Sequence, residues 1–86
     1  MPVLSRFYGI IIRMFFDEHL PSHFHAEYGE YELVVGISPI NILKGKAPKR
    51  VQSMVLEWAA LHQVELLEDW QLCQTQRQPR SIEPLE

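Results

Sequence analysis

Residues 23–38, HFHAEYGEYELVVGIS, decide the fold. Two runs rich in aromatic and β-branched residues flank Gly29-Glu30, the Gly-X pair that a two-residue type II′ hairpin prefers. With that pair as the turn, Tyr28 lies opposite Tyr31. The ladder then continues as Glu27 with Glu32, Ala26 with Leu33, His25 with Val34 and Phe24 with Val35. Opposed residues share a face. One face therefore carries Phe24, Ala26, Tyr28, Tyr31, Leu33 and Val35 and belongs to a core. The other collects His23, His25, Glu27 and Glu32.

Upstream, residues 7–16 read FYGIIIRMFF, with apolar Tyr8, Ile10, Ile12, Met14 and Phe16 at the even positions. The pattern predicts a single first strand with one core face. Pairing that face with Phe24 sets Phe15 opposite His23, and Arg13 opposite His25 and diagonal to Glu27. The run is too short to cross a bilayer, contains Arg13, and is followed by acids instead of a small-residue cleavage site, so it reads as core and not as a span or signal peptide. A loop, DEHLPS, connects it to the hairpin. Beyond the hairpin a turn over residues 38–41 leads to a short strand at 42–44.

From Lys49 onward the hydrophobic period changes from 2 to 3.6. Pro48 suits the start of a helix, and Val51, Met54, Val55, Trp58 and Leu61 fall on one stripe. A second set, Leu66, Leu67, Trp70 and Cys73, is rotated from the first, which places a break at 62–64, with one continuous helix as the alternative. Trp58 and Trp70 read as core anchors, and His62 as a group that caps carbonyls or meets the helix dipole. The expected fold is α+β: one domain over residues 1–76, an antiparallel meander of three to four strands followed by two C-terminal helices packed on one face. Residues 77–86 form an extended or flexible tail, pinned by Ile82 and Leu85.

With 86 residues, 47% of them hydrophobic, the chain supports one small core, to which a partner or a second copy would add burial. A net charge of −3 argues against generic binding to nucleic acid or to an anionic membrane. The single Cys73 forms no internal disulfide and lacks a catalytic signature, which fits a reducing cytoplasm. There is no phosphate-binding glycine loop and no serine nucleophile motif.

Directly opposed Glu27 and Glu32 repel, so something positive belongs near them. Arg13 supplies it in the simpler reading, a charge cluster on a solvated sheet face. The sharper reading is a divalent metal such as zinc. His23 and His25, two apart on a strand, point the same way, and His19 or Glu27 completes three protein ligands with water in the fourth position. Such a site activates water for hydrolysis, with Glu27 or Asp17 as base. Separately, Lys44, Lys46, Lys49 and Arg50 gather half of the eight cations at a helix N-terminus, a candidate anion contact.

The segments SRFYGIIIRMFFDEHLPSHFHAEYGEYE, VLEWAALHQVELLEDW and IEPL resemble, over nearly the whole chain, the bacterial family known as domain of unknown function four-one-six-zero. Its hallmark His-x-Pro-Pro-His-x-His falls on His19, Pro21, His23 and His25, with Ser22 standing at the second proline. The resemblance implies no established activity. It implies genes that lie beside one encoding another uncharacterised family, as in a toxin–antitoxin pair or a regulatory operon. The expected function is therefore a small cytoplasmic partner-binding or regulatory protein, its partner a small protein encoded nearby or a second copy in a homodimer. A metal-dependent hydrolase or nuclease using His19, His23 and His25 is the alternative, and nucleic-acid binding through residues 44–50 the weaker one.

Overall fold

A computed structural model describes residues 2–86. Strands β1 (Val3–Phe7), β2 (Ile10–Arg13), β3 (His23–Tyr28), β4 (Tyr31–Ile37) and β5 (Ile40–Lys46) form one antiparallel meander in chain order, followed by helices α1 (Lys49–Leu61) and α2 (Gln63–Gln74). The central hairpin closes at Gly29-Glu30, with Gly29 at φ 58°, the sign a type II′ turn needs at its first central position. Its register is the one the sequence predicts, from Tyr28 opposite Tyr31 to Phe24 opposite Val35.

The sheet has five strands, not three or four, because residues 7–16 are not one strand. The chain reverses at Tyr8-Gly9, where both residues have positive φ, 50° and 82°, the signature of a type I′ hairpin. Phe7 then pairs with Ile10. Ile10, Ile12 and Met14 are buried as expected, but Tyr8 sits in the turn, 58% exposed, and Phe16 lies beyond the end of β2, also exposed. A second difference is β5, which begins at Ile40 and runs to Lys46. Its pairing steps from Lys44 opposite Val34 to Ile42 opposite Val35, so Leu43 is the extra residue of a β-bulge.

Both helices cover the face that carries Phe24, Ala26, Leu33 and Val35. Trp58 sits at the centre, fully buried, with the rings of Phe7 and Phe24 at 5.5 and 5.7 Å. Val51, Val55, Leu66, Trp70 and Cys73 complete the helical contribution. The helices break at His62, whose backbone N–H donates to the carbonyls of Trp58 and Ala59 and whose carbonyl accepts from Leu66. The imidazole does not cap carbonyls as expected; its Nδ1 pairs with Glu65 at 2.6 Å. No helix among the described residues is long and apolar enough to cross a membrane.

Residues 77–86 form no helix or strand and are tied down by hydrogen bonds, beginning with the Arg77 N–H on the Leu72 carbonyl. The Arg80 N–H donates to Asp69 Oδ1, the Ile82 N–H to the Leu4 carbonyl and the Trp58 indole N–H to the Glu83 carbonyl, each at 2.8 Å. Ile82 is buried against the core. The indole N–H, which burial would otherwise leave unpaired, thus has the tail as its acceptor.

Asp69 is buried, and its Oδ2 has no partner among the described residues. Burial pushes its carboxyl above the usual range, and the Arg80 N–H only partly offsets this. The folded chain therefore holds this proton to higher pH than the unfolded one. Its contribution to stability is fully present below the ordinary value of 3.8 and is lost as pH rises through the folded-state value. Asp69→Asn, which keeps the acceptor and removes the charge, should raise the melting temperature at neutral pH, with the gain vanishing in acid. Asp69→Ala leaves the Arg80 N–H unpaired and should cost about 1–3 kcal/mol in urea unfolding. Two residues past the bulge, Gly45 has φ 99° and a methyl there would come within 2.1 Å of the Glu32 carbonyl oxygen. Gly45→Ala should therefore destabilise by more than about 1 kcal/mol in the same assay.

Candidate functional site

Alternation along β3 sends His23, His25 and Glu27 to the face opposite Phe24 and Ala26. β2 then sets Arg13 opposite His25, and the Arg13 Nε donates to Glu27 Oε1 at 3.1 Å. Glu32, opposite Glu27, lies with its Oε2 3.0 Å from His25 Nδ1. The repulsion between the two opposed carboxylates is thus relieved separately on each side. Because the Arg13 and Glu27 side chains are 25% and 34% exposed, water screens their pair, whose contribution stays under about 1 kcal/mol.

The loop between β2 and β3 adds a residue that the sequence reading passed over. Glu18 Oε1 lies 2.6 Å from His25 Nε2 and 3.1 Å from His23 Nε2. The ligand-capable atoms of Glu18, His23 and His25 all fall within 4.8 Å of one another. His19 is exposed and stands outside this group, as does Glu27, which is engaged by Arg13. Asp17 turns to the Gln76 amide, and the Glu18 carbonyl accepts from Gln74 Nε2 at 3.1 Å. The far end of α2 therefore holds the loop in place. An acid beside His19 was visible in the sequence, but which of residues 17–19 turns inward depends on this anchoring.

Aromatic rings wall the cluster. Phe15 meets His25 edge-on at 4.5 Å between centroids. It is not laddered opposite His23 as expected, because β2 ends at Arg13. Trp70 lies 5.2 Å from His23, and the two imidazoles are 5.4 Å apart. Burial alone would raise the Glu18 carboxyl, but hydrogen bonds from His25 and His23, and then their charge, outweigh it and hold the group below its ordinary value. Glu18 is thus set up as an anion facing two ring nitrogens.

The remaining candidates are dispersed. Lys44 and Lys46 lie on β5, the latter opposite Glu32, while Lys49 and Arg50 occupy the first turn of α1. Arg50 Nη2 donates to the Tyr28 hydroxyl at 3.1 Å, and its guanidinium lies 5.9 Å from the centre of that ring. Cys73 is buried, and burial, with the nearby Asp69 charge, pushes its thiol up to about 11, which leaves it unreactive at neutral pH.

No curated protein matches the chain, and no solved structure does. Residues 9–71 match the family model described as Domain of unknown function (DUF4160), a span that takes in the sheet from β2 onward, most of α2 and the whole histidine and carboxylate cluster, so the chain belongs to that family.

Proposed function

We propose that this is a small cytoplasmic partner-binding or regulatory protein, one member of a toxin–antitoxin-like pair whose other member is a small protein encoded nearby. The observation that supports this reading is an exposed apolar patch at the junction of the helices. Leu61 and Val64 are 66% and 70% exposed, and Leu61 lines a cleft of about 440 Å³ between the end of α1 and the tail. Leu61, Pro84 and Leu85 line the cleft, with Glu57, Glu83 and Glu86 around them. Apolar side chains left in water and rimmed by charge have the make-up of a docking surface. The acidic rim selects a protein segment with apolar anchors and lysine or arginine beside them.

A metal-dependent hydrolase or nuclease is the second reading, favoured by the convergence of Glu18, His23 and His25. Nucleic-acid binding through residues 44–50 has less support, since Arg50 is engaged with Tyr28 and Lys46 faces Glu32.

Co-expression with the protein encoded by the adjacent gene tests the first reading. The two should co-purify, and the added protein should raise this chain's stability, by about 2.7 kcal/mol when present at a hundred times its Kd. Leu61→Glu should weaken the association at least tenfold without lowering the variant's own melting temperature, because the side chain is already in water. No association at micromolar concentration would contradict the proposal, as would a complex that Leu61→Glu leaves unchanged.

A further inference from the structure

We infer that Glu18, His23 and His25 form a binding site for one divalent ion of the zinc type, held by Glu18 Oε1 and by the Nε2 atoms of the two imidazoles. It stands apart from the partner-binding reading and rests on the convergence of three ligand-capable atoms, with an outer contact on each imidazole. His23 Nδ1 lies 2.8 Å from the Pro21 carbonyl oxygen, which can only accept, so this nitrogen carries hydrogen. His25 Nδ1 lies 3.0 Å from Glu32 Oε2, a carboxylate, and carries hydrogen for the same reason. A neutral imidazole has one N–H. A ring that is neutral with its hydrogen on Nδ1 offers Nε2 as a lone pair, and both Nε2 atoms are turned on the same oxygen of Glu18.

Three electron-rich atoms converge only around positive charge. Two extra protons would supply it, at the cost of two imidazolium rings 5.4 Å apart in a half-buried place walled by Phe15 and Trp70. One divalent ion supplies it with both rings neutral. Arg13 is not available for the purpose, since it is engaged with Glu27.

The outer contacts agree. Metal-bound histidines typically donate their second nitrogen to a carbonyl or carboxylate, which fixes the ring and its tautomer. Pro21 does this for His23 and Glu32 for His25. Zinc bonds near 2.1 Å in tetrahedral geometry require ligand atoms about 3.4 Å apart. The contacts of 2.6 and 3.1 Å lie below that spacing, so the Glu18 oxygen would draw back slightly to admit an ion. Two imidazoles and a carboxylate suit zinc and its borderline neighbours better than calcium or magnesium. The fourth position is left for water or for a side chain from another molecule. His19 is not required.

The test uses the full chain purified without a histidine tag, stripped with chelator and titrated with zinc against a chromophoric competitor. One zinc per chain is expected. His23→Ala/His25→Ala should abolish binding, Glu18→Gln should weaken it at least tenfold, and Glu32→Gln, which alters only an outer contact, should weaken it about 10–100-fold. His19→Ala and Glu27→Gln should bind as the wild type does. Circular dichroism in chelator identifies any variant that fails to fold. Histidine nitrogen NMR on the wild type then gives a reading that needs no variant: zinc should shift Nε2 of both rings while Nδ1 keeps its proton. The inference is overturned by absence of stoichiometric zinc, or by zinc held equally well without His23 and His25. It is also overturned if His19→Ala abolishes binding while Glu18→Gln is silent, or if both nitrogens of each ring are protonated in chelator and unchanged by zinc.

Discussion

A slip of β3 against β4 by one residue would carry Phe24 and Ala26 to the solvent face and His23 and His25 into the core. The hairpin register is therefore the constraint on which both the core and the polar cluster depend. Magnitudes show what selects it. Burying Phe24, Leu33 and Val35, all essentially inaccessible to water, stabilises by about 1.5–3 kcal/mol per side chain, whereas the half-exposed Arg13 and Glu27 pair contributes under about 1 kcal/mol. Apolar burial chooses the register, and the Gly29-Glu30 turn agrees with it. The histidines and carboxylates on the outer face take positions that the core has already determined.

α2 joins this sheet face to the rest of the molecule. Trp70 belongs to the core and also forms one wall of the histidine cluster. Gln74 and, just past the helix, Gln76 hold the loop that brings Glu18 in. At the other end of the same helix, Val64 is exposed and His62, which precedes the helix, lines the acidic cleft. The two candidate surfaces thus meet different parts of α2, one at His62 before its first turn and the other at Trp70 and Gln74. Each is assembled from its own set of loops and termini.

How much of this was legible in the sequence follows from which signals are local. The hairpin pairing, the contact of Arg13 with Glu27, the buried faces of β3 and β4 apart from the exposed Tyr31, and the helix break at His62 all follow from period and turn chemistry over a few residues. The β1–β2 turn was missed because Tyr8 is a strand former held at φ 50°. A bulky residue rarely signals a left-handed turn, and only Gly9 marked it. The β5 bulge is not legible because alternation assumes an unbroken register, which the extra residue Leu43 interrupts. The role of Glu18 was hidden for a different reason. Its direction is set by Gln74 and Gln76, more than fifty residues away in the chain, and no local pattern encodes such a contact.

The register is tested most directly by cross-strand nuclear Overhauser contacts in the folded chain. Opposed side chains in an antiparallel pair have Cβ atoms about 4.5–5.5 Å apart, close enough to be seen. The expected contacts run from the Ala26 methyl to Leu33 and from the Phe24 ring to Val35, with His25 facing Val34 on the other side. Contacts from Ala26 to Val34 and from Phe24 to Gly36, with His25 close to Val35, would mean that β3 is displaced by one residue. In that case the core, the histidine cluster and the site built on it would all be wrongly assigned.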